Sequence, residues 1–186
     1  MTAQLLIDSK CTLGEGATWD ARRGRFYWVD IEGAKLWRYD PRDQSSHVFD
    51  MPERLANFAF CADADTFLLG LVSRLAFFSL STGEITTITE VEPDLPTRLN
   101  DGRCDREGRF VFGTLHEAEE QKPVGGFYRL NTDLTLERLP LGNCAQFQTA
   151  SASVRTARAC ITATRPRARF VSAITRRLKT TACLSN

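Results

Sequence analysis

Gly108-Arg109-Phe110-Val111-Phe112-Gly113-Thr114, followed after a longer loop by Gly126-Phe127-Tyr128-Arg129-Leu130-Asn131, is the third appearance of one unit. The first is Gly24-Arg25-Phe26-Tyr27-Trp28-Val29-Asp30, a turn at Glu32-Gly33, and Leu36-Trp37-Arg38-Tyr39-Asp40-Pro41. The second is Asp65-Thr66-Phe67-Leu68-Leu69-Gly70-Leu71, then Ala76-Phe77-Phe78-Ser79-Leu80 and the turn Ser81-Thr82-Gly83-Glu84. Phe26, Phe67 and Phe110 take the same place in each unit, 41 and 43 residues apart. Each unit pairs two apolar, aromatic-rich runs of about five residues bounded by Gly, Asp, Asn and Pro, which specifies antiparallel β-structure rather than helix. A period of about 40–45 residues with several short strands per repeat is the signature of β-propeller blades. Propellers have about four to eight blades and close the last on the first, so the three units here would leave strand edges unpaired. The expected fold is all-β, a partial propeller of about three blades between Leu5 and Asn143, with an irregular basic C-terminal tail.

The composition sets outer bounds. With 186 residues, 42% hydrophobic and 25% charged, the chain can bury a core and is too even for disorder, collagen or a disulfide-knit peptide. No apolar run approaches the roughly 18 residues of a membrane span, and Met1 to Lys10 lacks the basic n-region of an export signal. The expected setting is cytoplasmic, with no membrane partner. The six cysteines are never closer than sixteen residues, which gives neither zinc nor redox spacing, and they read as reduced packing thiols.

The formal charge of +1 hides an asymmetry. Residues 145–186 hold eight cations and no acid, leaving sixteen cations against 23 acids in the first 144 residues. Charge patterning alone would make the tail an arm for nucleic acid or a membrane surface.

Leu13-Gly14-Glu15-Gly16-Ala17-Thr18-Trp19-Asp20 resembles the opening motif of the gluconolactonase, regucalcin and senescence-marker-protein family of six-bladed propellers. The likeness continues through Phe26-Tyr27-Trp28-Val29-Asp30-Ile31 and is most specific from Thr97-Arg98-Leu99-Asn100-Asp101-Gly102 to Phe112-Gly113-Thr114. The chain resembles the bacterial sugar-lactonase branch, including arabinolactonase-like proteins, more than the animal one. The resemblance implies a hydrolase acting on carboxylic esters, opening a sugar-acid lactone to the hydroxy acid with one divalent metal, Ca²⁺, Zn²⁺, Mg²⁺ or Mn²⁺. Such a reaction needs a Lewis acid for the developing oxyanion and a base for water. By position, the resemblance makes Glu15 the metal-binding Glu and Arg98 and Asn100 substrate binders. It puts His116 and Glu117 on the substrate wall, where Glu117 is the candidate binder and a solvated acidic loop is the rival reading. On residue type alone, Glu15 between two glycines would be an exposed turn, and Asp101-Gly102 a turn capped by its own side chain. Asp63-Ala64-Asp65 stands where each repeat turns, His47 has no partner in the sequence, and the tryptophans read as blade packing; none is given a role.

After Gly142-Asn143 the family pattern expects an Asn-Gly motif and then Ser-Pro-Asp-Gly, and neither occurs. Triplets straddling adjacent codons from Gln148-Thr149 onward, however, permit Asn-Gly-Ile-Ser-Phe-Ser-Pro-Asp-Gly. The expected organisation is thus 1–144, the N-terminal half of a lactonase-like propeller, and 145–186, a basic low-complexity tail translated out of frame, with no nucleic-acid role. No catalytic base is identifiable in frame, so lactonase activity is expected to be impaired or absent in this fragment. The rivals are a non-catalytic calcium-binding protein of regucalcin type and an inactive fragment; a strictosidine-synthase-like propeller is disfavoured by Arg98 to Gly102.

Overall fold

The computed structural model describes residues 5–118 and 122–144; the tail 145–186 and the acidic pair Glu119-Glu120 lie outside them. Every regular element among the described residues is a strand, and no helix is long and apolar enough to cross a membrane. Strands β1 (Gly14–Asp20), β2 (Arg25–Asp30), β3 (Lys35–Asp40) and β4 (Ser45–Asp50) form the first sheet in chain order. The second consists of β5 (Leu55–Phe60), β6 (Thr66–Leu71), β7 (Arg74–Ser79) and β8 (Ile85–Glu90), and the third of β9 (Thr97–Cys104), β10 (Phe110–His116), β11 (Gly125–Leu130) and β12 (Leu136–Cys144). Each sheet is a four-stranded up-and-down meander, the form of a propeller blade, so the described residues supply three blades of a partial propeller. The described residues form two compact units, one up to Leu55 holding the first sheet and one from Ala56 on holding the other two.

The middle strands are the runs that carried the repeat. β6, β7 and β10 are buried almost throughout and read as continuous apolar segments, whereas the last strands, β4 and β8, are largely exposed and polar. Phe67 and Phe110 are fully buried, facing Phe78 and Leu130 across their sheets. Phe26 is only half-buried and packs instead on Trp19, with ring centroids 4.6 Å apart, while Tyr27 and Val29 fill the core of the first unit. In the second unit Leu68, Leu75, Phe77, Leu99, Phe110 and Phe112 share one core cluster.

The Gly/Asp punctuation acts through side-chain capping. Asp20 Oδ1 accepts from Arg22 N at 3.0 Å, Asp63 Oδ1 from Asp65 N at 2.9 Å, and Asp105 Oδ1 from Glu107 N and Arg109 N at 2.9 Å, one Asx turn per repeat between its first two strands. Asp65 is held by the hydroxyls of Ser79 and Ser81 at 2.6 and 2.8 Å, which accounts for the Asp63-Asp65 pair as turn structure. His47 lies exposed on β4, edge-on to Phe49. Among the described residues Cys11, Cys61 and Cys104 are free, and burial, with the Asp105 charge, pushes the Cys104 thiol up to about 12.

The guanidinium groups of Arg42 and Arg25 hold the Asp40 carboxyl well below the usual carboxylate range. A folded-state value below the unfolded one, about 3.9, adds stability that is complete above that pH and disappears as pH falls toward the folded value. D40N should therefore flatten the acid limb: between neutral pH and pH about 3 its urea midpoint should fall by less than that of the wild type. Equal slopes would mean that the Arg25–Asp40–Arg42 cluster contributes nothing to acid stability.

Candidate functional site

Arg98 and Asn100 stand on β9, the first strand of the third sheet. β10 runs antiparallel to it, pairing His116 with Thr97, Leu115 with Arg98, Thr114 with Leu99 and then Phe112 with Gly102. Asn100 and Asp101 therefore stand together opposite Gly113, so the segment expected to turn at Asp101-Gly102 is a bulge inside a strand. Asp101 still caps locally, its Oδ1 accepting from Gly102 N at 2.9 Å. The strand continues because it is pinned to the core beneath: a Cβ on Gly102 would lie 2.6 Å from the Phe110 ring and 2.8 Å from Phe112 Cβ.

A bulge takes backbone groups out of the ladder, and they need other partners. The carbonyl of Asn100 accepts from the side-chain amide of Asn57 on β5. Asn57 is 6% exposed and sits against Gly70, where any Cβ would collide with its amide. Asn57 and Asn100 are 43 residues apart, the same separation as Phe67 and Phe110, so they are equivalent positions of successive repeats. Sequence reading missed Asn57; the repeat register, and a lone amide in the apolar run Leu55-Ala56-Asn57-Phe58, were the available signals.

Three candidates converge here. Arg98 Nη1 donates to Leu99 O at 2.9 Å and to Asn100 Oδ1 at 3.4 Å, and Nε lies 3.8 Å from Glu117 Oε1. The Arg98 side chain is 13% exposed and that of Glu117 43%, so the cation is sheltered while the carboxylate opens to solvent. Glu117 N donates to Pro96 O at 3.1 Å, and the buried His116 accepts from Lys122 N at its Nδ1, 3.2 Å away. His116 thus ties the end of β10 to Lys122. A guanidinium, an amide and a carboxylate within one short stretch supply both donors and acceptors, the set a polyhydroxylated ligand requires.

Glu15 belongs to the other compact unit. It is exposed on β1 opposite Val29, and the next two residues, Gly16 and Ala17, bulge opposite Trp28. Gly16 supplies the left-handed residue of this bulge, with φ of 65°. Glu15 therefore sits beside a bulge in a strand, not in a turn. It lines a shallow cleft of about 450 Å³ with Ser9, Cys11, Gly14, Ala17 and Trp28. Among the described residues no three His, Cys, Asp or Glu side chains come together as metal ligands. Asp30, near in sequence, is committed elsewhere: its carboxylate accepts from Thr12 N, Leu13 N and Gly33 N, and although burial opposes ionisation these bonds leave its pKa lowered.

A family model described as SMP-30/Gluconolactonase/LRE-like region matches residues 13–146. An L-arabinolactonase of Azospirillum brasilense is 60% identical over 140 residues, covering 75% of this chain and 47% of that protein. A pentonolactonase of Haloferax volcanii is 34% identical over 143 residues, 76% of this chain and 47% of its own length. Among solved structures, a calcium-binding regucalcin of Agrobacterium tumefaciens superposes with a TM-score of 0.64 at 26% identity, over 69% of this chain and 43% of that one. The chain spans about half the length of the curated relatives it matches.

Proposed function

The chain belongs to the SMP-30/gluconolactonase/LRE-like region family, and from that premise we propose that it carries the substrate-binding part of a sugar-acid lactonase. The observation that carries this reading is the convergence of Arg98, Asn100 and Glu117 at one bulged strand. In it, the Arg98 guanidinium and the Asn100 amide donate to the hydroxyl and ring oxygens of a five- or six-membered sugar lactone, and the Glu117 carboxylate accepts a hydrogen bond from a ligand hydroxyl. The likeness to an L-arabinolactonase makes L-arabinolactone the first substrate to try. On the family likeness we also propose Glu15, in the first unit, as a ligand for a divalent ion, which in a lactonase would supply a Lewis acid for the ester carbonyl. With one such ligand and no base identified among the described residues, we infer that this chain of 186 residues turns lactone over slowly or not at all.

We also propose that 1–144 is the lactonase-like half and that 145–186 is out-of-frame translation; the absence of acids from the tail and a family match limited to 13–146 support this. A second reading, metal binding without turnover, is favoured by the likeness to regucalcin.

One experiment addresses both. The coding DNA from the codon of Gly142 onward is sequenced and translated in all frames, and the 186-residue chain and any frame-restored protein are assayed for L-arabinolactone hydrolysis with Ca²⁺, Mg²⁺, Mn²⁺ or Zn²⁺. A restored protein should exceed the present chain by about 10²–10⁴-fold, the range of a positioned general base. Full activity of the 186-residue chain would overturn the proposed impairment, and a restored protein that binds metal but leaves lactone intact would favour the second reading.

A further inference from the structure

The segment leading to Arg98 contains one unusual backbone conformation. Glu92 has φ of 51°, in the left-handed region that a residue with a Cβ enters only at a steric cost. Its carboxylate makes two short bonds. Thr97 Oγ1 donates to Oε2 at 2.6 Å, and Tyr128 Oη donates to Oε1 at 2.6 Å, both at the length of a hydroxyl bonded to an ionised oxygen. The first bond grips β9 one residue before Arg98, and the second anchors that grip to β11. Leu95 N, donating to Glu92 O at 3.0 Å, closes the turn between, and Pro96 O receives Glu117 N at 3.1 Å. Glu92 thus bears on both members of the Arg98–Glu117 pair, on Arg98 through its side-chain bond to Thr97 and on Glu117 through the Glu92–Leu95 turn that leads into Pro96. Burial, with the adjacent Glu92 carboxylate, pushes the Tyr128 phenol up to about 12, so it remains a donor at ordinary pH.

We propose that Glu92 is a positioning residue: it sets the spacing and direction of Arg98 relative to Glu117 so that one lactone can bridge them. This rests on the reading of Arg98, Asn100 and Glu117 as the lactone-binding arm. None of the atoms involved needs to touch the ligand.

The test uses T97V, which keeps the shape of the side chain and removes the hydroxyl, T97S, which retains the hydroxyl, and Y128F as a second way to remove one bond. Each is made in the full chain and read in two ways, by hydrogen exchange at the Glu117 amide and by calorimetric titration with L-arabinolactone. T97V and Y128F should speed Glu117 exchange and weaken lactone binding, each by about tenfold, as expected for one lost hydrogen bond to a charged group. T97S should restore both, and the amides of Val29 and Leu36 in the first sheet should not respond. Wild-type exchange and affinity in T97V and Y128F would overturn the proposal. Altered exchange with unchanged affinity would make Glu92 a structural clamp and overturn its positioning role. If the wild-type chain binds no lactone while exchange responds as described, the lactone reading fails and the hold of Glu92 on the arm is supported.

Discussion

Replacing Arg98 by alanine is expected to weaken binding of L-arabinolactone by about 10²-fold or more, the loss of two hydrogen bonds from a charged group at about 1.5–3 kcal/mol each. Arg98 is suited to this because its guanidinium is sheltered and oriented before a ligand arrives: Nη1 is fixed on Leu99 O at 2.9 Å while Nε faces Glu117 at 3.8 Å. At 3.8 Å the Nε–carboxylate approach is that of an ion pair, which holds the guanidinium beside an acceptor that a ligand hydroxyl can also use. R98K is the informative companion. Lysine keeps the charge beside Glu117 but cannot reproduce the planar fork, so it should recover little affinity. Calorimetric titration of the full chain measures both, with circular dichroism verifying the fold. If R98A binds lactone as the wild type does, the arm on β9 is not the binding site.

The second large effect is on stability. Phe110→Ala should cost about 3–5 kcal/mol, the range for deleting a buried aromatic ring when its surroundings cannot collapse. Collapse is restricted here because Phe110 is fully buried and stacks on Phe112 with ring centroids 5.7 Å apart, and Phe112 in turn stacks on Tyr128 at 5.6 Å. Removing the ring also takes away the surface on which Gly102 rests, so the bulge presenting Asn100 loses its floor. Urea unfolding followed by far-ultraviolet circular dichroism measures the loss. A cost below about 1 kcal/mol, ordinary for a surface change, would mean that the third sheet does not pack on Phe110 as described.

The middle strands were legible because their runs are rich in apolar and aromatic residues: the runs around Phe26, Phe67 and Phe110 became β2, β6 and β10, and their partners β3, β7 and β11. The flanking strands were harder to read. Ile85-Thr86-Thr87-Ile88-Thr89-Glu90 and Ser45-Ser46-His47-Val48-Phe49-Asp50 are half exposed, so polar residues dilute the pattern that burial would otherwise impose. Of the candidate residues, Arg98 and Asn100 were singled out by the likeness of Thr97 to Gly102 to a family motif. Glu92 and Asn57 were not, because what matters about them is a contact across strands: Thr97 and Tyr128 for one, the Asn100 carbonyl for the other.

Local chemistry, then, was enough to determine an all-β repeat of period 41 to 43 residues with Asp-containing turns between its strands. These depend on hydrophobic periodicity and on side chains bonding their own backbone, both of which are written within a few residues. Only the tertiary structure decided that Asn100-Asp101 is a bulge and not a turn, that Glu117 lies beside Arg98, and that Glu92 grips the strand between them. Those outcomes depend on strand register and on which core ring lies under Gly102, which are set by packing between segments far apart in the chain.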